Sequence, residues 1–310
     1  MELPSEDALR FLVSSYARVR ADLGELLEEP PLVLPTGEFF PDEFDKTPEG
    51  VANVMLRVKS YTPLSDDLPV DLAFTEPDEQ AGGGGCGTGG CAPGAGPKDV
   101  ARGGAIETDR GYAVVVDVRD VAEPSLLVAS LARSVAGIVL AEGEVDLPEG
   151  DVPAASEVLA TAMGFGVILA QGACVYKKGC GGMRMHRGTH LGVDEHAVLL
   201  ALFTRVEGKK PSAARSHLDT TQAEAFDEAL KWVDSNHELV ERLRDDPELL
   251  VDGLFEMKKS AGLFGRIFGK KKSPRPDDAP APSARTQRSE AEQRRLDEAR
   301  RLVEEALAEE

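Results

Sequence analysis

Apolar positions along the first thirty residues recur at helical spacing. Leu9, Leu12, Val13, Tyr16, Val19, Leu23 and Leu26 predict one amphipathic helix. Ser5 is placed to cap it, and Glu6 and Asp7 suit its positive end. It should stop before Pro30-Pro31, since a proline disfavours helix in the residue before it. From Leu32 to Phe74 the pattern is broken by Pro35, Pro41, Pro48, Pro63 and Pro69, leaving Val51 to Val58 and Val70 to Phe74 as short elements. The valine-rich run Gly111 to Val118 reads as a strand. Pro124 fits the first turn of a helix whose apolar face is Leu126, Leu127, Leu131, Val135, Ile138 and Val139, ending near Leu140. A second helix after Pro153 buries Val158, Leu159, Ala162, Met163, Val167 and Ile168, and Val193 to Val206 is a third. Thr221 with Glu224 and Ser235 with Glu238 read as capping boxes in a bundle of short helices from Leu218 to Met257. The pattern predicts an α+β domain over 1–260, mainly helical with a small sheet. A basic, Pro-rich linker (261–288) and a C-terminal charged helix (289–310) follow. The last helix carries a thin stripe of Leu296, Ala299, Val303 and Ala306. That is marginal for an isolated helix, so it must dock, pair or fray.

Charge narrows the partners. The 310 residues carry 55 acids and 35 bases, a formal net charge of -20. An acidic surface repels phosphate, so nucleic acid is excluded as a general ligand, whereas basic protein partners are favoured. The acid is uneven: residues 1–80 hold 18 acids against 6 bases, net -12. No basic-then-apolar leader opens the chain, and the longest apolar stretch, Val158 to Ala170, is shorter than the roughly 20 residues of a membrane span. The expected location is the cytoplasm, where four cysteines serve as thiols or metal ligands rather than disulfides.

The order of elements leads to a resemblance. A strand is followed by a helix containing Leu131-Ala132-Arg133-Ser134-Val135-Ala136-Gly137, then by a turn and a helix containing Glu157, seven residues before Gly164-Phe165-Gly166. Over roughly residues 110–206 this resembles a gluzincin-type zinc metallopeptidase core. More narrowly, it is similar to bacterial proteins of unknown function that keep L-A-H-E-x-A-H at this place. In such a core two histidines at i and i+4 bind zinc, the Glu between them is the general base, and a carboxylate on the next helix is the third ligand. The resemblance places Arg133 at the first histidine, Ser134 at the glutamate, Gly137 at the second histidine and Glu157 at the carboxylate. Arginine keeps its proton, glycine has no side chain, and serine is too weak a base to activate water. The resemblance therefore implies a pseudoenzyme, with no catalytic residue and no resident cofactor, in which Arg133 occupies the metal position and pairs with Glu157. The competing reading makes Arg133 a solvent-facing helix residue and Glu157 a first-turn acid.

The cysteines form two near pairs, Cys86-x4-Cys91 and Cys174-x5-Cys180, each beside glycine. Three readings stand side by side: a four-cysteine zinc site, a thiol-redox or structural Cys86–Cys91 pair, and unlinked thiols with Cys174 buried. His186, His190 and His196 form a further set of candidate zinc ligands, but Gly188 and Gly192 interrupt any helix there. The alternative makes them, with His217 and His237, loop and surface histidines. Gly85-Cys86-Gly87-Thr88-Gly89-Gly90 matches G-x-G-x-x-G formally. It lacks the flanking strand and helix of a dinucleotide site, and lies in a segment (82–104) holding 11 of the 31 glycines.

Residues 258–275 carry seven bases and no acid. Phe264, Arg266, Phe268, Lys270, Lys271 and Lys272 make this segment a candidate contact for a protein partner, an anionic membrane surface or the acidic body of the chain itself. The alternative is a solvated linker whose phenylalanines pack on the core. The leading functional expectation is a non-catalytic binding or assembly protein. The competing classes are a zinc-binding metalloenzyme, a thiol-redox protein and a membrane-surface adaptor.

Overall fold

The computed structural model describes residues 2–75, 104–143, 145, 151–179 and 182–258, all within one compact unit, Met1–Gly262. Its architecture is α+β and mostly helical. Cys86, Cys91, Cys180, the segment 259–275 with Phe264 to Lys272, and the C-terminal helix expected over 289–310 lie outside the described residues.

Helix α1 (Glu6–Leu23) is capped as its sequence predicts, the Ser5 hydroxyl accepting from the Ala8 N–H. The Pro-interrupted stretch holds α2 (Pro48–Lys59), whose Thr47 hydroxyl accepts from the Gly50 N–H. Its apolar side, Val51, Met55 and Val58, enters the core. Lys59 ends α2 buried, its ammonium donating to the carbonyls of Asp66 and Leu68, which replace the water it has lost.

Strands β1 (Val70–Thr75), β2 (Ala105–Thr108) and β3 (Gly111–Asp117) form one small mixed sheet in the order β1-β3-β2. β1 runs parallel to β3, with Phe74 opposite Val116, and β2 runs antiparallel, with Ile106 opposite Ala113. The central strand is the valine run, and Val114, Val115 and Val116 are buried. Its end comes one residue earlier than the sequence predicts. The Asp117 carboxylate accepts from the Arg119 N–H and turns the chain into the short α3 (Val118–Val121).

Helix α4 (Pro124–Glu142) begins at its proline, follows the sheet, and packs against α5 (Val152–Ala160), α6 (Gly166–Gly172) and α2. The expected single helix after Pro153 is broken. A π turn, Thr161–Phe165, separates α5 from α6, and Gly164 sits at φ 102°. The cause is a crossing chain. A Cβ on Gly164 would lie 1.8 Å from the Pro31 carbonyl oxygen, and the Val33 N–H donates to the Gly164 carbonyl at 3.1 Å. α4 and the run Val152–Gly172 are each long and apolar enough to cross a membrane, by length and composition only. Their apolar windows are 67% and 89% buried inside the protein, which accounts for that hydrophobicity as core packing.

An antiparallel pair unforeseen in the sequence, β4 (Val175–Gly179) and β5 (Gly182–His186), leads through residues 187–192 into α7 (Val193–Val206). α7 has the predicted bounds and packs on α9 (Thr220–Ser235), α6 and α1. The short α8 (Pro211–Arg215) precedes α9, and α10 (His237–Asp245) follows it. Neither expected capping box forms. Asp219 rather than Thr221 holds the N-cap of α9, and Asn236 rather than Ser235 that of α10. The Ser235 hydroxyl donates back to the Lys231 carbonyl, and Asn236 is engaged with Lys258, its Oδ1 accepting from the Lys258 N–H at 2.7 Å.

Candidate functional site

Glu157 lies in the second turn of α5, on the side facing Arg133 of α4 and His196 of α7, and its side chain is 0% exposed. A carboxylate taken wholly out of water requires partners for both oxygens. Oε1 accepts from the His190 N–H at 2.5 Å and Oε2 from the Leu191 N–H at 2.8 Å. From α4, Arg133 Nη1 reaches Oε1 at 3.4 Å and donates also to the Gly188 carbonyl at 3.3 Å. From α7, His196 Nε2 stands 3.3 Å from Oε2, close enough for an ion pair though off the line of a good hydrogen bond.

The competing reading of Arg133 and Glu157 as solvated helix charges is therefore corrected. Arg133 is only 13% exposed at its side chain, and Glu157 points into the core rather than capping a first turn. The expectation of surface histidines holds for His186 and His190, which are exposed, but not for His196, which is 1% exposed. His196 is the residue of this cluster that the sequence did not link to Glu157. Its neighbours Asp194 and Glu195 made it look like part of a polar helix start. In fact Glu195 turns back to accept from the Gly192 N–H, while His196 faces inward.

Electrostatics favour the ionised carboxylate. Burial pushes the Glu157 carboxyl up. The His196 imidazole beside Oε2, with the N–H groups of His190 and Leu191, outweighs burial and holds the group below the usual carboxylate range. The two short backbone bonds make Glu157 a clamp on residues 188–191. Arg133 grips the same loop through Gly188, and the Gly188 N–H donates to Gly172 at the end of α6.

Ser134 and Gly137 stand outside this cluster. The Ser134 hydroxyl is buried and donates to the Ser130 carbonyl within its own helix. A Cβ on Gly137 would touch the Ser156 hydroxyl at 3.4 Å, so the glycine lies at the close approach of α4 and α5. The donor set does not fit zinc. Glu157 spends both oxygens on backbone N–H groups, a guanidinium stands where a cation would bind, and only His196 adds a nitrogen. Among the described residues no group of three or more His, Cys, Asp and Glu is placed to hold a metal ion.

Of the four cysteines, Cys174 alone falls within the described residues. It is buried and unlinked, at the end of α6. Its carbonyl accepts from the Gln222 amide, and the nearness of its thiol pushes the Tyr176 phenol up. Comparison of the chain with protein-family models, curated proteins and solved structures finds no match.

Proposed function

We propose that this chain is a non-catalytic binding or assembly protein, in whose core Arg133 and Glu157, two of the four metallopeptidase-like positions, form a closed ion cluster with His196. The observation that carries this reading is the full engagement of Glu157. Its two oxygens accept from two backbone N–H groups and are flanked by a guanidinium and an imidazole, which take up the directions that a metal or a substrate atom would use. A general base must have a lone pair within reach of the proton it takes, and a catalytic metal needs an open coordination position. Glu157 provides neither, and Ser134 is turned into its own helix.

The cluster instead joins α4, α5, α7 and the loop after β5 at one buried point. Removing a charge from such a centre costs stability rather than chemistry. The acidic N-terminal 80 residues and the basic segment 258–275 give the chain two oppositely charged regions suited to a protein partner.

Metal analysis tests this reading. The full chain, equilibrated with excess zinc and desalted, is expected to retain no zinc that depends on Glu157 or His196. One zinc per chain, lost in a Glu157→Gln, His196→Ala double variant, would replace the reading with a metalloenzyme. Zinc retained by that variant and lost on removing Cys86 and Cys91 would instead favour the cysteine site, and would leave the cluster non-catalytic.

A further inference from the structure

A cavity of about 420 Å³ opens between α1, the end of α4, the start of α5 and Val251. It lies apart from the Glu157 cluster, and its size falls in the range of small-molecule sites, roughly 300–1,000 Å³. Its apolar wall includes Phe11, Leu140 and Val251, and two charged residues line it, Arg18 and Asp151.

Neither charge has a charged partner among the described residues. Arg18 is half-buried, yet among the described residues its guanidinium makes no hydrogen bond or ion pair. Asp151, the solvent-exposed N-cap of α5, forms no side-chain cap bond, and among the described residues no ion pair joins it to Arg18. A guanidinium that has given up part of its hydration gains most from a planar carboxylate, which it can bind through two N–H groups. The Asp151 carboxylate asks for a cation. A purely anionic ligand would meet Asp151 and the net charge of -20, so a ligand of zero net charge is the better match.

We infer that this cavity binds a free apolar α-amino acid. The carboxylate is taken by Arg18, the ammonium faces Asp151, and the side chain lies on the wall of Phe11, Leu140 and Val251. Three features of the cavity meet three features of that ligand class, and none of them is used by the ion cluster. The inference is thus independent of the proposed function.

Calorimetric titration of the full chain with leucine and with phenylalanine tests it, using two analogues of leucine: 4-methylpentanoate, which lacks the ammonium, and 3-methylbutylamine, which lacks the carboxylate. The expected result is that leucine or phenylalanine binds and both analogues bind more weakly. Arg18→Met should weaken amino-acid binding at least about tenfold, the scale of a lost charge-assisted contact. Asp151→Asn should weaken the amino acid while leaving 4-methylpentanoate unchanged or improved. Both side chains reach solvent, so circular dichroism should show both variants folded. Absence of binding by either amino acid at millimolar concentration would overturn the inference, as would equal binding by wild type and Arg18→Met, or an Asp151→Asn variant that treats leucine and 4-methylpentanoate alike.

Discussion

At the residue scale, Glu157 is where burial and charge oppose each other most directly. Burial raises its carboxyl, and His196 with the His190 and Leu191 N–H groups lowers it further than burial raises it. The consequence for acid stability has a definite sign. With the folded value below the unfolded one, the unfolded chain binds the extra proton first. The stabilisation is fully present above the ordinary carboxylate range and is lost as pH falls through the lowered folded value. Urea unfolding measured across that acid window should show stability falling toward low pH in wild type and a shallower fall in Glu157→Gln. Parallel curves for the two proteins would mean that the folded carboxyl is not held below its unfolded value. Glu157 was legible in the sequence only through its distance from Gly164-Phe165-Gly166, and Arg133 only through its place in the strand–helix–helix order. His196 was not legible as a partner, because a polar residue in a helix that otherwise buries Ala, Val, Leu, Phe and Thr leaves no periodic signal.

At the element scale, most helices and the central strand followed their patterns, while β2 and the β4–β5 pair did not. α1, α4 and α7 were readable because each has apolar residues at helical spacing and a recognisable start: Ser5, Pro124, and the acidic turn of Asp194 and Glu195. β2 and the β4–β5 pair were missed, since their stability lies in cross-strand pairing that a linear pattern does not display. The break between α5 and α6 was missed for a different reason. The run from Val158 to Ala170 is buried all round, so its periodicity is flat and cannot mark an interruption. Only Gly164 hinted at it, and only the crossing of Pro31 to Val33 explains it. Gly164→Ala should therefore destabilise by about 3 kcal/mol, combining a left-handed penalty of about 1–2 kcal/mol with overpacking. Gly166→Ala should cost less, because its new Cβ would meet the end of the Leu200 side chain at 2.9 Å, which can shift. Denaturant unfolding of the two variants checks the order, and an equal or reversed ranking would count against the crossing as the cause of the break.

At the scale of the whole molecule, the ion cluster is a junction. α4, α5, α7 and the loop after β5 reach one another through Glu157, and Arg133 supplies the positive charge on the α4 side. The α+β class was visible in the sequence because strand and helix signals alternate with distinct periods. The polarity of the chain, acidic at its start and basic at 258–275, was visible in composition alone. The junction was not, since it joins residues 133, 157, 190 and 196 through space.

The central claim is that Arg133 and Glu157 are coupled and hold this junction together. A double-mutant cycle measured by denaturant unfolding addresses it most directly. Glu157→Ala should cost about 3–5 kcal/mol, as expected for leaving a buried cation without its partner. Should that variant not fold, Glu157→Gln takes its place in the cycle. Combined with Arg133→Leu, the loss should be smaller than the sum of the two single changes by about 1–3 kcal/mol. Additive losses, within about 0.5 kcal/mol, would show the two residues acting independently and would contradict the account.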